Sequence, residues 1–380
     1  MLRRPILPII APPPGRVPEM GRRLHVVHVV DSMKLGGVQS LLLSVLPRLA
    51  DLDIDCTLAV LHGPGVFSEA FAAQGIPPHH LAASRWDPRI PWRLRTLLRA
   101  EAPDIVHAHG APSCLFSEWA RPPRLVEHLH HIRGGGSRSQ QWMERTRYRK
   151  CDVLLTCSKA AAASVITPVE TRTIYNGIHP SRFRPPSAAE RAEARNCFGI
   201  GPDDFVLGMT GRITVNKGQR RVCEALHACR ERYPQLRLLV AGSGPEEGAL
   251  KAWCGDHGLT DRVHFAGFRE DVLPVLHALD GYVMASEAEG FPMALLEAMG
   301  TGLPCLVSDF PSAREIIVDG ENGLLFQRGD ARHLAEAIAD CVESPHKRLE
   351  WGVTARERVL KDFTLDQTVA EFAAAYRSLV

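Results

Sequence analysis

The sequence predicts an α/β protein built as two doubly wound, Rossmann-like domains that face each other across a cleft. Three observations carry that expectation. Short β-branched runs alternate with helical segments along nearly the whole chain, and near-continuous apolar strands separated by helices form parallel sheets covered on both faces. The rhythm stops once, at the Pro- and Ser-rich stretch "NGIHPSRFRPPSAAERAEA". Finally, 380 residues are too many for one ordinary domain and comfortable for two.

In chain order, the expected strands of the first sheet are 24–30, 55–61, 104–109, 124–129, 152–157 and 171–176, read from runs such as "LHVVHVV" and "DVLLTC". After the break come 205–210, 236–242, 263–267, 281–286, 303–309 and 323–327, including "FVLGMT" and "LRLLVAG". The proline-interrupted segment 1–22 reads as a disordered lead-in rather than a signal peptide. Domains are then expected over 23–185 and 186–364. The amphipathic segment 365–380, "LDQTVAEFAAAYRSLV", is expected to cross back onto the first domain.

The composition is 45% hydrophobic and 23% charged, with a net charge of +2. That balance argues against nucleic acid as the main partner, because a phosphate backbone selects for a strongly basic face. No apolar run is long enough to suggest a membrane span. The ten cysteines follow no disulfide or zinc spacing. Buried, reduced thiols in a cytoplasmic protein fit them better.

Several motifs fall where the carboxyl ends of strands should lie, which is where open α/β sheets bind ligands. "GMTGRITVNKGQRR" follows 205–210 and opens a helix near Asn216; Arg212 and Lys217 on it can converge on one anion, or remain two solvated cations. In "MKLGGVQS", Gly36 and Gly37 let backbone approach a phosphate or make a plain turn. "AGSGPEEG" resembles a dinucleotide fingerprint with one spacing too long, and Asp261 stands roughly where a ribose acid would. His107, His109, His128 and His130 end strands of the first domain, as ligands of a sugar, as core residues or as metal ligands; no Cys or carboxylate set completes a metal shell in the sequence. The basic, glycine-rich "HHIRGGGSRSQQWMERTRYRK" reads as a solvated loop or as a dock for an acidic acceptor. In "SEAEGFPMALLEAMGTGLP", Glu289 stands at the mouth of a short helix and Glu297 on its apolar face.

Together these pieces resemble one family. Glu289 and Glu297, spaced E-x7-E in "EGFPMALLE", follow "GRITVNKG" and "AGSGP"; "GGVQ", "DIVHAHG", "LVEHLHH", "CSKAAA" and "IYNGIHPSRF" precede them in order. The set is similar to the large group-one family of retaining glycosyltransferases of the GT-B fold, from about residue 24 to the end. The resemblance implies a nucleotide-sugar domain after residue 185 and an acceptor-side domain before it. It implies Arg212 and Lys217 as the diphosphate pair and Glu297 on the nucleotide ribose. Glu289 would hold the donor sugar, beside the backbone of Gly290, Phe291, Pro292, Met293 and Ala294. Phe268 would sit by the nucleobase and Gly37 in the phosphate-approaching loop, with His130, rivalled by His128, near the transferred sugar.

Carboxylates are acceptor-only groups suited to hydroxyls, and their burial is costly until such donors arrive. The implied activity is retaining transfer from a UDP- or GDP-sugar to a glycan or lipid-linked acceptor in cell-envelope or extracellular polysaccharide synthesis, with peripheral contact at the inner membrane. No cofactor or metal is expected. The Asp-x-Asp pairs of "DLDID" (51–55), an arrangement many metal-dependent sugar transferases use, precede a strand and so lie at the wrong end of the sheet. The alternatives are a nucleotide-sugar epimerase on the same fold, a non-catalytic nucleotide-sugar-binding subunit, and an NAD-dependent dehydrogenase.

Overall fold

The computed structural model describes residues 22–34, 36–132 and 148–380. Almost all of the expected lead-in over 1–22, and most of the basic segment after His131, lie outside the described residues.

Two parallel sheets organise the chain. The first contains β1 (Leu24–Val30), β2 (Ile54–Val60), β3 (His79–His80), β4 (Ile105–His109), β5 (Leu125–Leu129), β6 (Val153–Thr156) and β7 (Thr171–Thr173), in the order β3-β2-β1-β4-β5-β6-β7. The second contains β8 (Phe205–Thr210), β9 (Leu236–Ala241), β10 (Val263–Gly267), β11 (Gly281–Met284), β12 (Cys305–Ser308) and β13 (Leu324–Phe326), in the order β10-β9-β8-β11-β12-β13. In both sheets the order reverses beside the first strand, so a ligand crevice opens at the carboxyl ends of β1 and β4 and again at those of β8 and β11. The strand interiors are buried: every residue of β4, β5, β6, β11 and β12 is shielded, as helices on both faces require.

The differences from the sequence reading have local causes. The two-residue edge strand β3 is too short to carry a periodic signal. The strand expected over 303–309 begins only at Cys305, because Pro304 has no amide to give to a ladder. The strand expected over 171–176 ends at Thr173. The helix expected near Asn216 is a single tight turn, Val215–Lys217; the helix proper begins at Gln219. Gly218 separates them at φ 71°, with the Ala285 carbonyl only 2.1 Å from where a Cβ would stand. That position admits no side chain, which holds the loop after β8 against the end of β11.

Helix starts follow their caps. Ser187 and Glu190 form a reciprocal capping box on Ala188–Cys197 and Thr364 and Gln367 one on Leu365–Arg377. The latter helix packs on the first sheet, where Leu365, Val369, Phe372 and Tyr376 share a core with Val26, Leu42 and Val126. Helix Ala188–Cys197 belongs with the second sheet, tied through Arg191 and Arg195 to Asp280 at 2.7 and 3.1 Å. The halves also touch near their facing ends. Glu315 accepts the amides of Lys159 and Ala160 at 2.9 and 2.7 Å and the Tyr175 hydroxyl at 2.8 Å.

Candidate active site

The second crevice is built from two loops. The loop leaving β8 carries Gly211, Arg212 and Lys217; Gln219 fixes it by donating to the Arg212 carbonyl at 2.9 Å. The loop leaving β11 carries Ser286 to Pro292, and hydroxyls pin its backbone. Ser308 donates to the Ser286 carbonyl at 2.5 Å, Ser312 to the Glu289 carbonyl at 2.7 Å and Ser158, from the other half, to the Gly290 carbonyl at 2.7 Å. The amide of Glu287 donates to the Asn216 carbonyl at 2.8 Å, which joins the two loops.

Lys217 Nζ donates to Glu289 Oε1 at 2.5 Å, and the Glu289 side chain is only 16% exposed. The resemblance gives Lys217 to the diphosphate and Glu289 to the donor sugar; here the two are in direct contact. A carboxylate stands directly against one of the two cations. Arg212 is exposed and, among the described residues, has no carboxylate partner. The helix after the loop spans Met293–Gly300, with Pro292 as its cap rather than in its first turn. The amides of Met293 and Ala294 therefore lack carbonyls one turn back and point out of the helix start. On that helix Leu295, Leu296, Ala298, Met299 and Gly300 are buried, whereas Met293 is only partly so. Glu297 lies among them, shielded enough that burial pushes its carboxyl up to about 7, with Asp271 raising and Arg182 lowering it to smaller extents. Its carboxyl has no hydrogen-bond partner among the described residues.

The glycines of "AGSGP" serve packing. A Cβ at Gly242 would meet the Gly211 carbonyl at 1.8 Å, and one at Gly244 the Ile213 carbonyl at 2.1 Å. Their spacing thus lets the β9 turn lie against the Arg212 loop. Asp261 precedes β10, at the amino end of its strand, away from the crevice. Phe268 stands just beyond β10, 54% exposed, beside Gly267, whose carbonyl accepts the Gly242 amide at 2.8 Å. Of the "DLDID" acids, Asp51 and Asp53 occupy the turn ahead of β2 and Asp55 is the second residue of that strand.

Across the cleft, Gly37 opens helix Gly37–Leu49 with nothing within 4 Å of a Cβ position. The histidines assemble into more than the sequence showed. His28 on β1 and His107 and His109 on β4 join His128 and His130 at the end of β5. Ring centroids of neighbours lie 3.9 to 5.8 Å apart. His28 is hydrogen-bonded to His109 at 3.0 Å and His109 to His130 at 2.9 Å. Burial lowers all five, to about 3 at His28 and His130, so the cluster is uncharged near neutral pH. His28 escaped the sequence reading because it lies in mid-strand, 79 residues before His107, and only the β1–β4 register pairs them. His130 also meets the second half: its carbonyl is 2.0 Å from where a Gly290 Cβ would stand. A glycine is needed there for the two crevices to close on one space.

The chain matches the model for glycosyl transferases group 1 over residues 190–358 and that for glycosyltransferase family 4 over 35–182. The second half of the chain thus carries the group 1 match and the first half the family 4 match. EpsD of Bacillus subtilis (strain 168) is 34% identical over 200 residues, 53% of this chain and 52% of that protein, so the chain spans about half the length of that relative. The lipopolysaccharide core biosynthesis glycosyltransferase LpsE of Rhizobium meliloti (strain 1021) is 26% identical over 338 residues, 87% of this chain and 93% of that one. Among solved structures, Anabaena Alr3699/HepE in complex with UDP-glucose superposes with a TM-score of 0.84 at 23% identity, covering 93% of this chain and 100% of that one. This likeness shows the GT-B fold of two facing parallel-sheet domains for this chain.

One surface went unread in the sequence. Trp86, Trp92, Leu115 and Trp119 are 77%, 60%, 51% and 42% exposed. The Trp92 and Trp119 rings meet at 5.2 Å across helices Ile90–Glu101 and Ala111–Ala120. Arg85 lies over Trp86 at 4.5 Å and Arg95 over Trp119 at 5.7 Å. The signal available was the run of Trp and Arg in "SRWDPRIPWRLRTLLRA", which an amphipathic-helix reading absorbs as solvated arginines.

Proposed function

We propose that this protein is a retaining, metal-independent glycosyltransferase. It moves a sugar from a UDP- or GDP-sugar to the hydroxyl of a glycan or lipid-linked acceptor in cell-envelope or extracellular polysaccharide synthesis. The observation that carries the reading is the contact of Lys217 with Glu289 at one switch point, on loops that also carry Arg212, together with the approach of the His130 backbone from the other half to Gly290.

In this reading the diphosphate lies by Arg212, Lys217 and the free amides of Met293 and Ala294, which stabilise the charge that develops as the sugar–phosphate bond breaks. Lys217 exchanges its contact with Glu289 for a phosphate oxygen, and Glu289 is freed to accept sugar hydroxyls. Glu297 accepts from the ribose, Phe268 and the Gly267 turn border the base, and Gly37 lets the opposite loop approach the phosphates. His130 orients the sugar. No second carboxylate stands in the site as a nucleophile among the described residues, which favours same-face attack with a donor phosphate oxygen taking the acceptor proton. The test is a panel of UDP- and GDP-sugars with and without added Mg²⁺ or Mn²⁺. A sugar transferred with retained configuration at a metal-independent rate is expected. Inverted product, or a rate raised tenfold by either metal, would sink the reading, as would epimerised or free sugar as the sole product.

The acceptor is read as membrane-borne from the Trp–Arg surface. Exposed indoles suit a membrane interface, and Arg85, Arg95, Arg99 and Arg121, without carboxylate partners among the described residues, suit anionic headgroups. The chain should co-sediment with phosphatidylglycerol vesicles and not with phosphatidylcholine, and Trp92→Ser with Trp119→Ser should abolish this. Equal binding to both lipids, or binding unaffected by the double change, would remove the membrane from the proposal.

A further inference from the structure

Beneath the site, the histidine cluster contains an arrangement that sugar transfer does not require. Ligating nitrogens of His28, His107 and His109 lie within 4.8 Å of one another. All three side chains are buried, at 1%, 0% and 6% exposure. His107 Nε2 is buried without a hydrogen-bond partner, a costly state for a polar atom. From these residues we propose a resident trihistidine metal site, with Zn²⁺ as the cation its ligands fit best.

The hydrogen bonds assign the tautomers. His107 Nδ1 is 2.6 Å from the Tyr376 hydroxyl, His109 Nδ1 is 2.9 Å from His130 Nε2, and His28 Nε2 is 3.9 Å from the Cys56 thiol. If each of these outer nitrogens carries its proton, all three outer contacts are satisfied at once. The lone pairs left over are His28 Nδ1 and His109 Nε2, which lie 3.0 Å apart, and His107 Nε2, which is buried without a partner. Metal-bound imidazoles are oriented in this way, the second nitrogen donating to an outer partner. Neutral imidazole is the ligating form, and burial keeps these three neutral. Three imidazoles without carboxylates select a borderline cation over Mg²⁺ or Ca²⁺. His28 Nδ1 and His109 Nε2 are already 3.0 Å apart, near the roughly 3.3 Å separation that Zn–N bonds of about 2.0–2.1 Å imply, and His107 brings a ring nitrogen within 4.8 Å of the other two ligands.

The neighbouring trio His109, His128 and His130 also falls within 4.8 Å. It lacks the outer partners, because both nitrogens of His128 are buried and unpaired, so nothing fixes that ring as a ligand. The favoured site has a consequence for the one above it. Zinc on His109 Nε2 leaves the Nδ1 proton directed at His130 Nε2, which holds His130 in the tautomer protonated at Nδ1. That consequence rests on the role proposed for His130; the metal site does not.

The experiment uses the full chain without a histidine tag, loaded with Zn²⁺, passed through gel filtration and read by elemental analysis. The wild-type protein is expected to retain close to one zinc per chain. His28→Gln and His107→Gln should each retain less than a tenth of that, and a control with His79→Ala and His80→Ala, which are exposed, should retain it fully. Tyr376→Phe keeps every ligand and should weaken zinc affinity about tenfold or more in competition with a chromophoric chelator; this variant reads the site even if a ligand change prevents folding. Zinc absent from the wild type, full retention in both glutamine variants, loss in the exposed-histidine control, or unchanged affinity in Tyr376→Phe would each overturn the assignment. None of these readouts depends on transferase activity, so failure of the proposed reaction leaves the metal test intact.

Discussion

The two crevices share one topology and handle charge in opposite ways. Both open where a 3-2-1-4 strand order reverses. In the second half the loops hold opposite charges in partly exposed positions: Arg212 free, Lys217 against Glu289, and Glu287 paired with Arg221. In the first half β1, β4 and β5 carry five uncharged imidazoles, stacked from mid-strand to the strand ends. A diphosphate needs cations that can leave a partner and find another, which an exposed loop allows. On the proposed reading a sugar needs a ring held in one orientation, and His130 is held by its hydrogen bond to the buried His109. On the proposed reading, the same scaffold makes an adaptable clamp on one side and a rigid wall on the other.

The strongest way to break this contrast is to remove the clamp. Arg212→Ala should lower turnover about 10²–10³-fold and also weaken nucleoside diphosphate binding, since the diphosphate is common to donor and product. Turnover within threefold of the parent would show that the charged crevice is not where the leaving group sits. Glu289→Gln should cut turnover by a similar order while free nucleoside diphosphate binds nearly as well as before, read by calorimetry beside kinetics. Because the change also releases Lys217 from its pair, tighter nucleotide binding is consistent with the assignment, whereas weaker binding contradicts it.

The wall is tested at Gly290. Gly290→Ala puts a methyl where the His130 carbonyl is 2.0 Å away. It should separate the two loops and lower turnover by roughly tenfold or more, with nucleotide affinity and thermal stability little changed. Normal turnover in this variant would mean that the approach of the two halves is not needed for reaction.

Smaller effects come from Glu297. Glu297→Gln should weaken nucleoside diphosphate binding by roughly 1.5–3 kcal/mol, the scale of a charged hydrogen bond. Its pH dependence has a definite sign. Burial raises this carboxyl to about 7 from an ordinary value near 4.5, so its ionisation opposes folding. That destabilisation is absent well below pH 4.5, grows as pH rises and levels off above about 7. Glu297→Gln should therefore gain stability over the parent between pH 5 and 8, by roughly 1–3 kcal/mol. A gain that is flat with pH in chemical denaturation would show that the carboxyl is not held up by burial.

The sequence by itself determined the parts whose signal is local. Apolar runs and their punctuation gave twelve of the strand positions. Chain spacing placed Arg212, Lys217 and Glu289 on neighbouring loops, because each follows the carboxyl end of a strand whose direction is fixed by the parallel sheet, and put Glu297 on the helix that follows the second loop. It also put the Asp-x-Asp pairs at the far end of their strand. Only the tertiary structure decided what depends on register and on contacts between distant segments. The pairing of His28 with His107 is set by how β1 lies along β4. Tyr376 reaches His107 only because the last helix folds back across 269 residues of sequence. The Lys217–Glu289 contact arises where the loops after β8 and β11 meet, 72 residues apart in sequence, and the fit of Gly290 against His130 where the two halves meet. Propensity and hydrophobic period act over a few residues and carry no record of which distant surfaces will share a boundary; packing of the whole chain fixes that.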